Sequence, residues 1–445
     1  MQSQSAPTAP ISIIVSPFVR FARMEAAGGI ALLTATVAAL VWANSPWKQA
    51  YHEIFEQPLT IGFGRLVVTE DWHSWINDGL MSLFFFLVGL EIKREVLVGE
   101  LSSLGRAALP FIAAIGGMAL PALIYLSIAR NGSLARGWAI PISTDIAFAL
   151  GALTFLGNRV PISLKVFVTA LAIVDDIIAV IVIAVFYTSA INYFSLLLGL
   201  FCVAIAFVAN VLGIRRPSIY AFLGILAWCC VLSSGVHATI AGILLAFTIP
   251  ARTFLDKAQF LEKSQSLLVE LENAEANSFE EHSILHTLEE KMELVESPLH
   301  KIEHALQPWI GFFVMPLFAL ANAGVNLSDA GASAIRHPAS IGIVLGLFIG
   351  KPAGIWLFSF LAVKLHLASA LQQVRWRQVF GAAWLCGVGF TMSIFVAGLA
   401  FDSDALLDNA KIAILAASFL SAAFGCIILA RSTETTGISG QRHNI

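Results

Sequence analysis

The chain has 445 residues, 58% of them hydrophobic and 12% charged, with a net charge of −3 and a mean hydropathy of +0.82. Soluble domains carry about 25% charged residues, so this composition excludes an ordinary soluble fold, and a charge so near zero gives no support to nucleic-acid binding. The five cysteines, Cys202, Cys229, Cys230, Cys386 and Cys426, fall in apolar stretches with neither zinc spacing nor a disulfide framework.

A window of about 19 residues finds about twelve apolar segments, each long enough to be read as a membrane helix. They span residues 23–44, 74–92, 106–129, 137–156, 162–187, 192–213, 217–232, 235–250, 304–325, 338–363, 378–400 and 409–430. The expected fold is therefore an all-α integral membrane protein. The first segment is too long for a cleaved signal and reads as a retained helix. With both termini placed on the cytoplasmic side, most of the 26 Lys and Arg fall on that side too, as the positive-inside rule requires.

Two stretches interrupt the membrane pattern. In QPLTIGFGRLVVTED, Leu59–Ile61 and Leu66–Val68 flank Gly-Phe-Gly, which predicts a small extramembrane β-hairpin at 57–69. Residues 251–301 are acidic and rich in helix formers, and Ser278 with Glu281 fits a capping box, so the segment reads as two soluble helices broken near Asn277. The resulting organisation is a cytoplasmic N-terminus at 1–22, transmembrane helices 1–8 over 23–250, the acidic cytoplasmic insert at 251–301, helices 9–12 over 302–430, and a cytoplasmic tail at 431–445.

An ionised side chain at a helix centre costs roughly 2.5–3.5 kcal/mol on insertion scales and marks a functional site by default. Four such residues stand out: Asp145, Asp175, Asp176 and Lys351. One reading is a structural ion pair, but a single lysine cannot neutralise three carboxylates. Surplus carboxylates suit a hard cation such as Na⁺ or Li⁺. Asp145 follows Pro141, Ser143 and Thr144 in the fourth segment, and Gly387 and Gly389 break the eleventh before Thr391. Interrupted segments at the middle of helices 3–5 and 10–12 point to a transporter built from inverted repeats. Broken helices leave partial positive charge at N-termini and negative charge at C-termini; Asp145 offsets the first and Lys351 the second. Lys351 also adjoins a glycine stripe, Gly342, Gly346, Gly350 and Gly354, that favours close helix approach, and precedes Pro352, which disturbs the helix.

The segments GLEIKRE, ISTDIAFALG, AIVDDIIAV, SGVHATIAGILLAFTIP, MPLFALANAGV and GKPAGI, in this order, closely resemble the NhaA family of bacterial Na⁺/H⁺ antiporters. The resemblance implies a secondary transporter rather than an enzyme, a multi-pass protein of the bacterial inner membrane that needs no cofactor. Its partners would be transported Na⁺, Li⁺ and H⁺, the lipid bilayer, and a second copy in a homodimer formed through the hairpin. It implies that Asp176 is the main cation- and proton-binding carboxylate, that Asp175 pairs with Lys351, and that Asp145 and Thr144 lie at the helix crossing. Glu91, Arg94, Glu95, His237, Glu303 and His304 resemble the family's pH-response residues. Two departures are the long acidic insert and Gln307, an amide that cannot titrate near pH 7 where the family pattern has a histidine. Two rival classes are an aspartic protease dyad, disfavoured because neither IVDD nor ISTD contains Gly-x-Gly-Asp, and a passive cation channel, which would carry Na⁺ without opposing proton movement. No GxxxxGK[ST] phosphate loop is present.

Overall fold

The computed structural model describes residues 27–63, 66–188, 191–251, 257–274, 278–295, 297–326 and 336–433. The expectations placed on 1–22 and on most of 431–445 lie outside these residues.

Every apolar segment coincides with a helix. Eight helices are long and apolar enough to cross a bilayer, and two bent pairs raise the number to ten. The long ones are α3 (Trp72–Leu97), α4 (Leu104–Ile128), the fourth segment Gly132–Phe155, α6 (Ile162–Phe186), α7 (Tyr193–Val211), α12 (Pro298–Asn322), α13 (Pro338–Lys364) and α16 (Asp404–Thr433). The pairs are α1 (Ala27–Ala43) with α2 (Lys48–Glu56), bent by 114°, and α14 (Trp376–Cys386) with α15 (Phe390–Ala400), bent by 44°. Two shorter apolar helices, α8 (Pro217–Leu232) and α9 (Thr239–Thr248), fall on the remaining segments. The chain is a multi-pass membrane protein. Its outward surface fits that solvent: on α7, Phe194, Leu197 and Val211 are exposed on a helix that carries no charge, which water would not tolerate over such an area.

The fourth segment is interrupted as expected. A 3-10 helix, Gly132–Ile142, ends before extended residues at Ser143 and Asp145, and α5 (Ile146–Phe155) completes the span. Three further helices contain π turns: Trp75–Leu80 in α3, Ile310–Val314 in α12 and Gly346–Gly350 in α13. The last two precede Pro316 and Pro352. A proline ring clashes with the carbonyl four residues back and leaves it without its amide, and a widened turn takes up that disturbance while the helix continues.

The chain packs as two compact units. The first holds the described residues within Met1–Phe84, Glu95–Ala190 and Pro308–Ile445; the second holds those within Phe85–Arg94 and Ile191–Gln307.

In the first unit α4 packs on α13 and α6, and α16 packs on α13 and α14. The glycine stripe explains the α4–α13 approach. A Cβ at Gly354 would stand 2.0 Å from the Gly116 carbonyl oxygen, one at Gly350 2.9 Å from the Pro121 Cα, and one at Gly342 2.8 Å from the Tyr125 ring. The hairpin belongs to this unit, with β1 (Pro58–Phe63) antiparallel to β2 (Leu66–Asp71). Its strands are longer than expected: Gly62 and Phe63 pair with Val67 and Leu66 instead of turning, and Gly64 lies outside the described residues. Trp75 Nε1 donates to the Leu59 carbonyl at 3.0 Å, and Asp71 accepts from the Ser74 amide at 2.6 Å, so the hairpin is tied to the start of α3. The short α2 was not expected. Its Tyr51 is buried and its hydroxyl donates to the Leu320 carbonyl at 2.7 Å, near the end of α12.

In the second unit α7, α8 and α9 pack on one another around Ala206, Tyr220, Leu223 and Leu245. The insert forms α10 (Lys257–Asn273) and α11 (Phe279–Val295), which pack together as a hairpin. The Ser278 hydroxyl accepts from the Glu281 amide at 3.1 Å, the cap its sequence announced.

The glycine contact is testable. Gly354→Ala must displace the backbone of α4 and should destabilise by about 1–3 kcal/mol or more, lowering the unfolding temperature of detergent-purified protein. Gly398→Ala, which has open space around its Cβ, should leave that temperature unchanged.

Candidate functional site

The site is built where the fourth and eleventh segments are both broken. Asp145 is the N-cap of α5: its Oδ1 accepts from the Phe148 amide at 3.0 Å, so its charge meets the positive end of that half-helix. Its Oδ2 accepts from the Thr391 hydroxyl at 2.5 Å and from the Thr391 amide at 3.3 Å. Its own amide donates to the Val388 carbonyl at 2.8 Å, between α14 and α15. The two interruptions thus satisfy each other's free backbone groups, which a membrane interior requires. Ser393 adds a bond from its hydroxyl to the Ile140 carbonyl at 2.8 Å, and the Phe390 amide donates to Ser418 Oγ on α16 at 3.1 Å. Phe390 itself has φ +21°, outside the usual range for a non-glycine residue, and this marks the eleventh segment as locally strained.

Beside the crossing lie the charges. Asp175 and Asp176 are both 1% exposed in the middle of α6, and Lys351 on α13 is fully buried. Lys351 Nζ stands 2.9 Å from Asp175 Oδ2 and also donates to the Ile142 carbonyl. Ile142 ends the 3-10 helix, so the ammonium sits at the negative end of the first half-segment, as Asp145 sits at the positive end of the second. Thr144 Oγ1 is 2.7 Å from Asp175 Oδ2 and 3.0 Å from the Cys386 carbonyl, the last residue of α14. Asp175 Oδ1 accepts no hydrogen bond among the described residues. Asp176 follows about 100° further round α6. The structure therefore gathers Asp145, Thr144, Asp175 and Lys351 with Thr391 at one crossing, and Asp176 adjoins them on the helix that supplies Asp175.

Residues 19–429 match the model of the family described as Na⁺/H⁺ antiporter 1. The chain belongs to this antiporter family. It is 58% identical over 429 residues to the Na⁺/H⁺ antiporter NhaA of Koribacter versatilis, covering 96% of this chain and 94% of that protein. It is also 47% identical to the NhaA of Oleidesulfovibrio alaskensis, over 97% and 98% of the two chains, and 45% identical to that of Rhodospirillum rubrum, over 94% and 97%.

The residues that the family resemblance linked to pH response are only partly together. Within the second unit, Arg94 forms an ion pair with Glu303, whose side chain is buried, and His300 Nδ1 lies 3.9 Å from the other Glu303 oxygen. His304 is exposed and Glu91 half-buried. His237 precedes α9, while Lys93, beside Arg94, donates to the Phe247 and Ile249 carbonyls at the far end of that helix. The ten residues of α9 span about 15 Å, so His237 lies well away from the Arg94–Glu303 pair. Glu95 belongs to the first unit, where its carboxylate accepts from the Glu100 amide at 3.0 Å.

Three contributors were not assigned a role from sequence. Thr391 was seen only as the residue after a break, although a hydroxyl at that point is a natural partner for an opposing carboxylate. Lys93 carried no local signal, because the carbonyls it meets end another helix, α9, and lie 154 and 156 residues further along the chain. Lys411 is 8% exposed on α16 with Asp404 and Asp408 on its own helix face, near the start of the twelfth segment, and the sequence reading gave it no part.

The buried pair sets an energetic prediction. Lys351→Ala leaves Asp175 buried beside an empty space and should destabilise by about 3–5 kcal/mol. Adding Asp175→Asn to that variant should recover part of the loss, read as a rise in unfolding temperature over the single variant.

Proposed function

We propose that this chain exchanges Na⁺ or Li⁺ for protons across the bacterial inner membrane by alternating access at the Asp175–Asp176 site. The observation that carries the reading is the convergence of Asp175, Lys351 and Thr144 at the crossing of two interrupted segments in a chain of the antiporter family. Carboxylate and hydroxyl oxygens are the hard ligands that a Na⁺ or Li⁺ ion needs. The same carboxylates bind protons, so the two substrates compete for one site, and exchange follows when the loaded site opens to one side at a time.

Lys351 fits this competition as a third occupant. Its ammonium neutralises Asp175 when no metal ion is present, and the Ile142 carbonyl offers it a second acceptor when a cation takes that carboxylate. Two protons entering per Na⁺ leaving would move one net charge inward per cycle, worth about 2.3 kcal/mol per 100 mV. On this reading the membrane potential drives Na⁺ export. Both termini and the acidic insert lie in the cytoplasm, a homodimer forms through β1 and β2, and the Arg94–Glu303 pair takes part in the response to pH.

In everted vesicles or proteoliposomes with an acidic interior, a pH-sensitive dye should dequench on addition of Na⁺ or Li⁺ and not of K⁺. Asp176→Asn should abolish the signal; normal exchange by this variant would falsify the assignment. Glu303→Gln should instead retain exchange and move the pH at which it is half-maximal. An unmoved profile removes Glu303 from pH regulation.

A further inference from the structure

The first half of the fourth segment is an unusual support for a binding site. Gly132–Ile142 is a 3-10 helix of 11 residues, whereas such helices seldom run beyond about four, because their hydrogen bonds are poorer than those of an α-helix. Side chains from four surrounding helices hold it, each donating to one of its carbonyls. Tyr125 of α4 donates to Leu134 at 2.8 Å, Tyr187 at the end of α6 to Arg136, Ser393 of α15 to Ile140 at 2.8 Å, and Lys351 of α13 to Ile142. Both tyrosines are buried, so their hydroxyls need these acceptors. Ser393 and Lys351 stand at the exchange site, while Tyr125 and Tyr187 hold the far end.

The Tyr187 tie differs from the Tyr125 tie because α6 also carries Asp175. The fourth segment and α6 run antiparallel and meet twice: Tyr187 at the Arg136 carbonyl, and Asp175 at Thr144 Oγ1, 2.7 Å away. Along α6 the steps from Asp175 to Tyr187 rise about 18 Å. The fourth segment covers the same distance with fewer residues. From Arg136 to Ile142 the 3-10 helix rises about 12 Å, and the steps through extended Ser143 to Thr144 add up to about 7 Å. The two spans match. Coiled as an α-helix, the stretch from Arg136 to Ile142 would rise only about 9 Å and leave Thr144 about 3 Å short of Asp175. A sideways shift cannot compensate, since a Cβ at Gly137 would stand 2.3 Å from the Tyr125 hydroxyl oxygen and 2.6 Å from the Phe401 ring. The Arg136 side chain pairs with Asp402 at 3.0 Å, but both are exposed, and an exposed pair holds little.

We propose that Tyr187 is a positioning residue for the exchange: by holding Arg136 level with the end of α6 it keeps the half-segment drawn out, so that the Thr144 hydroxyl reaches Asp175. The proposal rests on the assignment of exchange to Asp175 and Asp176. Tyr187 lies about 18 Å from Asp175 along α6 and acts through Thr144. Without its hydroxyl the Arg136 carbonyl needs another donor. The one within its own segment is the amide four residues on, that of Ile140, and that bond is the α-helical one. Forming it shortens the half-segment, draws Thr144 back from Asp175 and removes a hard oxygen ligand from the cation.

The test measures KM for Na⁺ and the maximal rate of exchange in proteoliposomes of the full-length protein, for Tyr187→Phe, Thr144→Ala and the two together. Tyr187→Phe keeps the ring and removes only the hydroxyl; its KM should rise several-fold while the maximal rate is held, the pattern of lost ground-state binding. Tyr187→Met, which also lacks a donor, replaces it if the phenylalanine variant does not fold. Thr144→Ala should raise KM similarly, and the double variant no further, because the hydroxyl that Tyr187 positions is already gone. Tyr125→Phe removes a buried hydroxyl from the same half-segment but leaves the span from Arg136 to Thr144 fixed, so it should lower the unfolding temperature and leave KM unchanged. A wild-type KM in Tyr187→Phe, effects that multiply in the double variant, or an equal rise in Tyr125→Phe overturns the inference and leaves the exchange site in place. A wild-type KM in Thr144→Ala instead removes Thr144 from the site, and the inference falls with that reading.

Discussion

The arrangement depends on one exchange of hydrogen bonds between two broken membrane segments. Stopping a helix inside a bilayer leaves amides and carbonyls that neither lipid nor water can satisfy, and each costs several kcal/mol unless protein meets it. Here the Asp145 amide reaches the Val388 carbonyl, and the Thr391 amide and hydroxyl reach the Asp145 carboxylate. Neither break is stable without the other. That mutual dependence fixes where the fourth and eleventh segments cross, and the crossing fixes where Thr144 and the Ile142 carbonyl face α6 and α13.

Charge completes what the backbone begins. Three aspartates and one lysine leave the site with an excess of carboxylate, and burial makes that excess expensive unless a proton or a metal ion relieves it. Asp145 is the least available of the three, because one oxygen caps α5 and the other is held by Thr391. Asp175 shares a single oxygen between Lys351 and Thr144 and leaves its second oxygen without a donor among the described residues. Both oxygens of Asp145 are thus engaged while Asp175, on the helix that also carries Asp176, keeps one oxygen to offer, which is why the proposed exchange is assigned to Asp175 and Asp176.

Much of this was legible in the sequence, for identifiable reasons. Membrane helices are set by apolar length, so all twelve segments could be read from hydropathy, and Pro141 with Gly387 and Gly389 marked the two breaks. The glycine stripe from Gly342 to Gly354 forecast a close helix approach, and the structure supplies the partner, α4, where only a residue without Cβ fits against Gly116 and Pro121. What escaped was decided by partners far along the chain. Thr391 gains its role only when Asp145 faces it, and α2 was missed because its short polar sequence is stabilised by Tyr51 bonding the Leu320 carbonyl. The strand extent of the hairpin was underestimated because glycine within a strand looks like a turn when its pairing partner is unknown.

Helix α13 shows why the lysine must stand where it does. Gly350 and Gly354 flank Lys351 and bring its backbone so near α4 that no side chain, lipid or water can enter between them. Pro352 adds a second constraint, since the helix ahead of it widens into the π turn Gly346–Gly350 rather than bending sharply. The lysine is thereby held on a rigid element, where among the described residues the Asp175 carboxylate and the Ile142 carbonyl meet its ammonium. If a cation displaces it from Asp175, the side chain can swing within that small set of acceptors, but the backbone cannot yield without overpacking α4. Any larger response to loading must then move α13 and α4 together, which is how a local change of charge becomes a displacement of whole helices in a closely packed protein.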